Sequence, residues 1–253
     1  MANIISIHSF RRGTGKSSLT ANLAALLAIE GWSVGVIDTN LETPSLGLLF
    51  DLDESRITYS LNDYLWGKCA IEQAVYEVTP RLSPAIKGRI WLIPASTAMN
   101  DIKRALREGY DVSLLNYGCY ELIDALGLDI LLIDTQAGMH AKSLVSIAIA
   151  NILVIILRLD RQDYQGTGVL LDLARRMVVP PARILVVNDA PSTLDFVKIK
   201  LQLEQSYECE VTGVLPHSDE LMILTSADLF VLRYPDHPIT TTFKQIAARL
   251  VAN

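Results

Sequence analysis

The chain holds 253 residues, 50% of them hydrophobic and 20% charged, with a formal net charge of −6. These are globular proportions, and the acidic balance excludes a protein that coats nucleic acid by charge alone. Cys69, Cys119 and Cys209 lie far apart and form no C-x-x-C pair, which excludes a disulfide framework and a zinc ribbon.

The first apolar run, 4–7, is a short β-branched strand suited to a buried parallel sheet. Leu19, Leu23, Leu26 and Leu27 then recur at helical spacing, with Gly31 as the stop. A second strand over 33–37 ends at Asp38 and opens into a polar loop, and 61–77 reads as a peripheral helix. A strand over 89–93 is stopped by Pro94, and helices are expected over 100–107 and 112–126. Strands over 130–133, 152–157, 184–187 and 211–215 then alternate with helices over 142–148, 163–177 and 193–207, and a last helix covers 240–250. Such alternation predicts an α/β fold: a doubly wound, mostly parallel sheet with helices on both faces. No linker composition interrupts it, so a single domain over 1–253 is expected. No apolar stretch reaches spanning length and no basic leader precedes the first strand, so a soluble, cytoplasmic protein is the expectation.

Between the first strand and first helix stands Ser9-Phe10-Arg11-Arg12-Gly13-Thr14-Gly15-Lys16-Ser17-Ser18. Strand, loop and helix in that order make it a phosphate-binding loop. Gly13, Thr14 and Gly15 let backbone N–H groups approach phosphate oxygens, Lys16 reaches the β/γ charge, and the Ser17 hydroxyl is a Mg²⁺ ligand. The loop departs from G-x-x-x-x-G-K-[ST] at Phe10, where glycine is usual. Asp134 closes an apolar strand and precedes Gly138, so it can hold Mg²⁺ through water while the Gly138 N–H faces a γ-phosphate. Asp38 ends the neighbouring strand and can order metal-bound or attacking water. His8, His140, His217 and His237 show no metal-ligand spacing and receive no chemistry. Tyr164-Gln165-Gly166-Thr167-Gly168 follows Asp160 and Asp163 and reads as helix initiation rather than a second phosphate loop.

Arg11 to Ser18, Val36-Ile37-Asp38-Thr39-Asn40 and Leu132 to Gly138 together resemble the deviant-Walker ATPases of the ParA/MinD group, across nearly the whole chain. The resemblance implies a P-loop NTPase of Rossmann-like three-layer form that binds ATP/ADP with Mg²⁺ at Arg12, Gly13, Thr14, Gly15, Lys16, Ser17 and Ser18. It further implies Asn188 as the strand-end asparagine that reads adenine, and Pro216 in the nucleotide-flanking turn. It implies an ATP-dependent homodimer, in which the family's cross-subunit lysine is here Arg11, with Arg12 as the alternative cation. The family's second switch aspartate is here Asn40, which can orient water but cannot take its proton, so weak hydrolysis is expected, with Asp38 or Glu42 assisting.

The expected role is positioning of cargo, DNA partitioning or division-site placement, served by an activating partner or cargo adaptor. The alternatives are an ATP-binding regulator with little hydrolysis and an ATP-dependent synthetase on the same scaffold. Lys103, Arg104 and Arg107, with Arg175 and Arg176, are the candidates for a lesser expectation, contact with non-specific DNA. Membrane attachment is not expected, because Phe243, Ile246, Ala247 and Leu250 read as a core-facing helix stripe.

Overall fold

The computed structural model describes residues 2–83, 85–224 and 228–252. Strand β1 (Asn3–His8) feeds the glycine-rich loop and α1 (Lys16–Ile29), and β2 (Ser33–Asp38) follows. Two short helices, α2 (Leu46–Leu49) and α3 (Leu61–Leu65), lead to β3 (Tyr76–Glu77) and β4 (Arg89–Ile93). Then come α4 (Met99–Arg107), α5 (Val112–Leu126), β5 (Ile130–Asp134), α6 (Ala141–Ala148) and β6 (Ile152–Leu157). The chain continues through α7 (Arg161–Arg175), β7 (Ala182–Ala190), α8 (Phe196–Tyr207) and β8 (Glu210–Pro216). It ends with α9 (Asp219–Ile223), α10 (Phe230–Arg233) and α11 (Pro238–Val251).

The sheet runs β3-β4-β2-β5-β1-β6-β7-β8 and is parallel except at its β3 edge. Side chains alternate between its faces, as strand geometry requires. Ile5, Ile7, Val36, Leu132 and Val154 point into a core closed by α1, α10 and α11. On the other face, Ile37, Leu131 and Ile133 pack with α3 and α5, while Leu153, Ile155 and Val187 pack with α7 and α8. Burial on both sides explains why the central strands read as unbroken apolar runs rather than alternating ones. The doubly wound fold expected from the alternation is the one observed.

The predicted helix over 61–77 is not formed. Gly67 turns left-handed (φ 71°) just after α3, whose start is fixed by Ser60 and Asp63 in a capping box. The rest is a single 3₁₀ turn, Ile71–Ala74, and then β3, where Tyr76 sits opposite Leu92. The Tyr76 hydroxyl accepts the N–H groups of Thr58 and Tyr59 at 2.8 and 3.0 Å, so long-range pairing overrides local helical spacing.

At the other end, Phe243, Ile246, Ala247 and Leu250 of α11 are buried in the core, which uses up the apolar stripe that a membrane helix would expose. No helix among the described residues is long and apolar enough to cross a membrane.

Candidate nucleotide-binding site

Open α/β sheets place ligands at the carboxyl ends of their strands, and β1, β2, β5, β7 and β8 deliver the expected residues there. Gly13 (φ 76°) and Gly15 (φ 95°) occupy left-handed conformations that side chains resist, and Gly15 opens α1. A Cβ at Gly15 would also strike the Asn188 amide, which donates to the Thr14 carbonyl at 2.8 Å. Asn188 thereby ties the end of β7 to the loop. Lys16 is the first residue of α1 and is buried; its ammonium donates to Ser9 Oγ at 2.9 Å. Burial lowers its pKa, opposed by the negative charge of Asp134. Ser18 lies one residue further along α1, its carbonyl accepting from Asn22 at 2.8 Å.

Two acids meet beside this loop because β2 and β5 are in register with Asp38 opposite Asp134. The Ser17 hydroxyl donates to Asp134 at 2.5 Å, and Thr20 reaches the same carboxylate at 3.5 Å. Burial raises the pKa of both acids; proximity to Asp134 raises Asp38 further, and the Ser17 hydrogen bond and Lys16 charge restrain Asp134. Asp38 accepts the backbone N–H groups of Asn40, Ser45 and Leu46 at 3.0, 3.1 and 3.3 Å, which shapes the loop after β2. The Asn40 side chain is turned into that loop, donating to the Thr43 carbonyl at 2.8 Å. On the far side, Gly138 (φ 93°) donates its N–H to the Ser9 carbonyl at 2.9 Å. A cavity of about 250 Å³ lies between these parts, lined by Arg12, Lys16, Ser17, Asn40, Thr43 and Ala137.

No group of three or more His, Cys, Asp or Glu among the described residues is placed to hold a metal by itself. The donor set that is present, a serine hydroxyl hydrogen-bonded to a carboxylate, suits Mg²⁺, a hard cation that keeps several waters and completes its shell with phosphate oxygens.

The two arginines are used differently. Arg11 reaches the start of α7, donating to Asp163 at 2.7 Å, to Gln162 at 2.9 Å and to Asp160. Asp163 is buried, and its other oxygen accepts the Arg158 N–H at 2.9 Å. Asp160 caps α7 through the N–H groups of Gln162 and Asp163, so the segment that follows is a helix start, as its sequence suggests. Arg12 is exposed and pairs with Glu42 in the loop after β2. Phe10 packs its ring onto Gly166 of α7, a tether invisible in the sequence; a Cβ at Gly166 would enter the ring. Gly166→Ala is therefore expected to cost about 1–3 kcal/mol through overpacking, read as a lower urea midpoint. An unchanged midpoint would show that Phe10 does not anchor the loop.

A second cavity, about 240 Å³, extends from Gly15 and Asn188 to Pro216, with Leu215, Met222 and Phe230 supplying apolar lining suited to a base. At its end Asp189 (φ 58°) pairs with Arg158, and His217 Nδ1 lies 2.6 Å from the Asp189 carboxylate. This triad joins the ends of β6, β7 and β8 and went unread in the sequence, because no short motif connects residues that far apart. Of the proposed DNA-contacting cations, Arg104 pairs with Glu108 at 2.7 Å, Arg176 with Asp172 at 3.0 Å and Arg175 with Glu208 at 3.8 Å.

His8 was assigned no chemistry from sequence, yet it is fully buried at the end of β1, with Nδ1 2.6 Å from Thr135 Oγ1. Burial, and then the charge of Lys16, depress its pKa from 6.5 to about 3. The unfolded chain takes up the proton and the folded chain does not, so this contribution is complete above pH 6.5 and is lost as pH falls toward 3. Between pH 7 and pH 5 the wild type should lose about 2 kcal/mol more than His8→Gln in chemical denaturation. Equal losses would refute that reading.

Strand, glycine loop and helix, with a strand-end acid bonded to the loop serine, define the fold of a P-loop NTPase. Residues 1–78 match the ParA family model, described as NUBPL iron-transfer P-loop NTPase. An uncharacterized ATP-binding protein of Methanocaldococcus jannaschii is 28% identical over 99% of this chain and 88% of its own length. The chloroplastic septum site-determining protein MinD homolog of Arabidopsis thaliana is 28% identical over 98% of this chain and 74% of its own. The septum site-determining protein MinD of Pyrococcus horikoshii, solved with Mg-ADP, superposes with a TM-score of 0.78 at 19% identity, covering 99% of this chain and 96% of that one. The chain is thus similar to ParA and MinD proteins over its whole length, and it shares their fold.

Proposed function

We propose that this chain is an ATP-driven switch: it binds Mg-ATP in the loop between β1 and α1, closes as a homodimer around the nucleotide, and hydrolyses it slowly. The observation that carries the reading is the Ser17–Asp134 hydrogen bond of 2.5 Å beside buried Lys16, at the mouth of the phosphate-sized cavity. In the bound state, Gly13, Thr14 and Gly15 would offer backbone N–H groups to the phosphates, and Lys16 would leave Ser9 for the β/γ oxygens. Mg²⁺, when bound, neutralises charge developing on the phosphates; Ser17 would ligate it, with Asp134, and Asp38 behind it, holding its waters. Asn188 and Pro216 flank the adenine end, and the Gly138 N–H turns from Ser9 toward the terminal phosphate. A phosphate contacted by both subunits gives ATP a higher affinity for the closed dimer, which is what a population shift requires. The named relatives support division-site placement or partitioning as the cellular task, with a partner protein that stimulates release or carries cargo.

One observation favours a second reading, an ATP-bound regulator with little turnover. Asn40 is committed to Thr43 and has no basic lone pair to offer water, Asp38 is occupied by three backbone donors, and Glu42 is held by Arg12. Asn40→Asp discriminates the readings. If slow hydrolysis comes from the missing carboxylate, phosphate release should rise by about 100-fold or more, within the 10²–10⁴ range of general-base effects. A rate unchanged from wild type would place the block elsewhere in the site.

A further inference from the structure

Strand β7 carries an extra residue at the base end of the site. Val187 lies opposite Val214 and Ala190 opposite Pro216, so Asn188 and Asp189 together span what Leu215 spans alone on β8. Such a bulge breaks the regular ladder and re-aims the side chains it carries. Asp189 sits there at φ 58°, left-handed backbone that a residue other than glycine keeps only where its surroundings require it.

The bulge brings both residues to the lining of the base-sized cavity. A carbonyl oxygen accepts and never donates, so the bond of 2.8 Å to the Thr14 carbonyl fixes the Asn188 amide nitrogen on the loop side. What Asn188 keeps for a base is its amide oxygen. That acceptor suits the exocyclic amine of adenine and opposes an oxygen in the same place.

Asp189 is gripped from two sides. One carboxylate oxygen takes the Arg158 guanidinium, and the other lies 2.6 Å from His217 Nδ1, which donates because the carboxylate only accepts. That bond and the charge of Asp189 raise the His217 pKa. The ring also faces Asp219, the first residue of α9, with Nε2 3.6 Å from its carboxylate. Both partners of Asp189 are themselves anchored: the Arg158 backbone N–H donates to buried Asp163 at 2.9 Å, and the His217 N–H donates to the Ala190 carbonyl at 2.8 Å. Exposed ion pairs of this kind add little to stability, so what the clamp supplies is the setting of the bulge.

We propose that Asp189 is a positioning residue for base selection: clamped by Arg158 and His217, it holds the bulge so that the Asn188 amide oxygen meets the amine of adenine. The proposal rests on the nucleotide-site reading above, in which Asn188 flanks the adenine end.

Titrations with Mg-ADP and Mg-IDP test it, because hypoxanthine puts an oxygen where adenine has its amine. The wild type should prefer ADP by about tenfold, the worth of one hydrogen bond. Asp189→Gly removes the clamp and leaves a residue at ease at φ 58°, so the backbone of the bulge is spared. Its affinity for ADP should fall about tenfold, to that for IDP, which erases the preference. Asn188→Ala should erase it too, and adding Asp189→Gly to that variant should change the ADP-to-IDP ratio no further, as expected of two residues that act through one contact. A preference kept in Asp189→Gly, or an equal loss for both nucleotides, assigns the clamp to the fold and overturns the proposal. A wild type that binds both equally overturns it as well. Failure of the wild type to bind either nucleotide would instead overturn the switch reading, and the same titrations identify that case separately.

Discussion

Lys16→Ala is expected to abolish phosphate release and to weaken Mg-ATP binding by about 100-fold or more, a loss of about 2.7 kcal/mol. The ammonium is buried at the start of α1, its pKa lowered by burial, with Ser9 Oγ as its hydrogen-bonded partner at 2.9 Å. A buried charge so sparingly satisfied waits for an anion, and the triphosphate supplies one. The same argument predicts that the nucleotide-free variant is at least as stable as the wild type, because the substitution removes a desolvated amine. Thermal denaturation reads both effects. At 100 times Kd, ATP should stabilise the wild type by about 2.7 kcal/mol, roughly 5–10 °C for a chain of this size, and leave the variant unmoved. A variant that melts far below the wild type without nucleotide, or that keeps the ATP shift, would show that Lys16 serves the fold instead.

The second large effect separates the two arginines. The resemblance to the ParA/MinD group gives Arg11 the cross-subunit role, yet in this chain it is bound to Asp160, Gln162 and Asp163 at the start of α7. Withdrawing it would strip a charge partner from the buried Asp163 carboxylate. Arg12 is held by Glu42 in an exposed pair, a kind worth about 0–1 kcal/mol, which phosphate oxygens can outcompete. Arg12→Ala should therefore leave ATP binding to the single chain intact and abolish ATP-dependent dimers. Arg11→Ala should lower the melting temperature, through loss of the α7 tether, and still dimerise. If Arg11→Ala abolishes the dimer and Arg12→Ala does not, Arg11 leaves its acids on closure and the assignment is reversed.

Much of this was legible in the sequence, and the physical reason differs by region. The parallel strands are buried on both faces, so their apolar runs stand out, and the glycine loop, Asp38 and Asp134 lie at the ends of those runs. The segment over 61–77 misled because its helical spacing is real but local, while Gly67 and the pairing of Tyr76 with Leu92 decide its path. The arginines were legible as cations only. Their partners lie on α7 and in the loop after β2, and nothing in the loop's own sequence foretells which one is tethered. His8 was silent for a related reason. A lone histidine has no motif, and its meaning comes from Thr135, the residue that follows the neighbouring strand β5. The Asp189 triad likewise needs three strand ends brought together before it exists.

The central claim is that ATP closes two copies of this chain. Light scattering on the wild type with Mg-ATP, with Mg-ADP and without nucleotide, with phosphate release measured on the same samples, tests it most directly. The predicted result is a dimer in Mg-ATP alone, decaying to monomer at the slow rate at which phosphate appears. A chain that stays monomeric in all three conditions, or is dimeric in all three, would contradict the account.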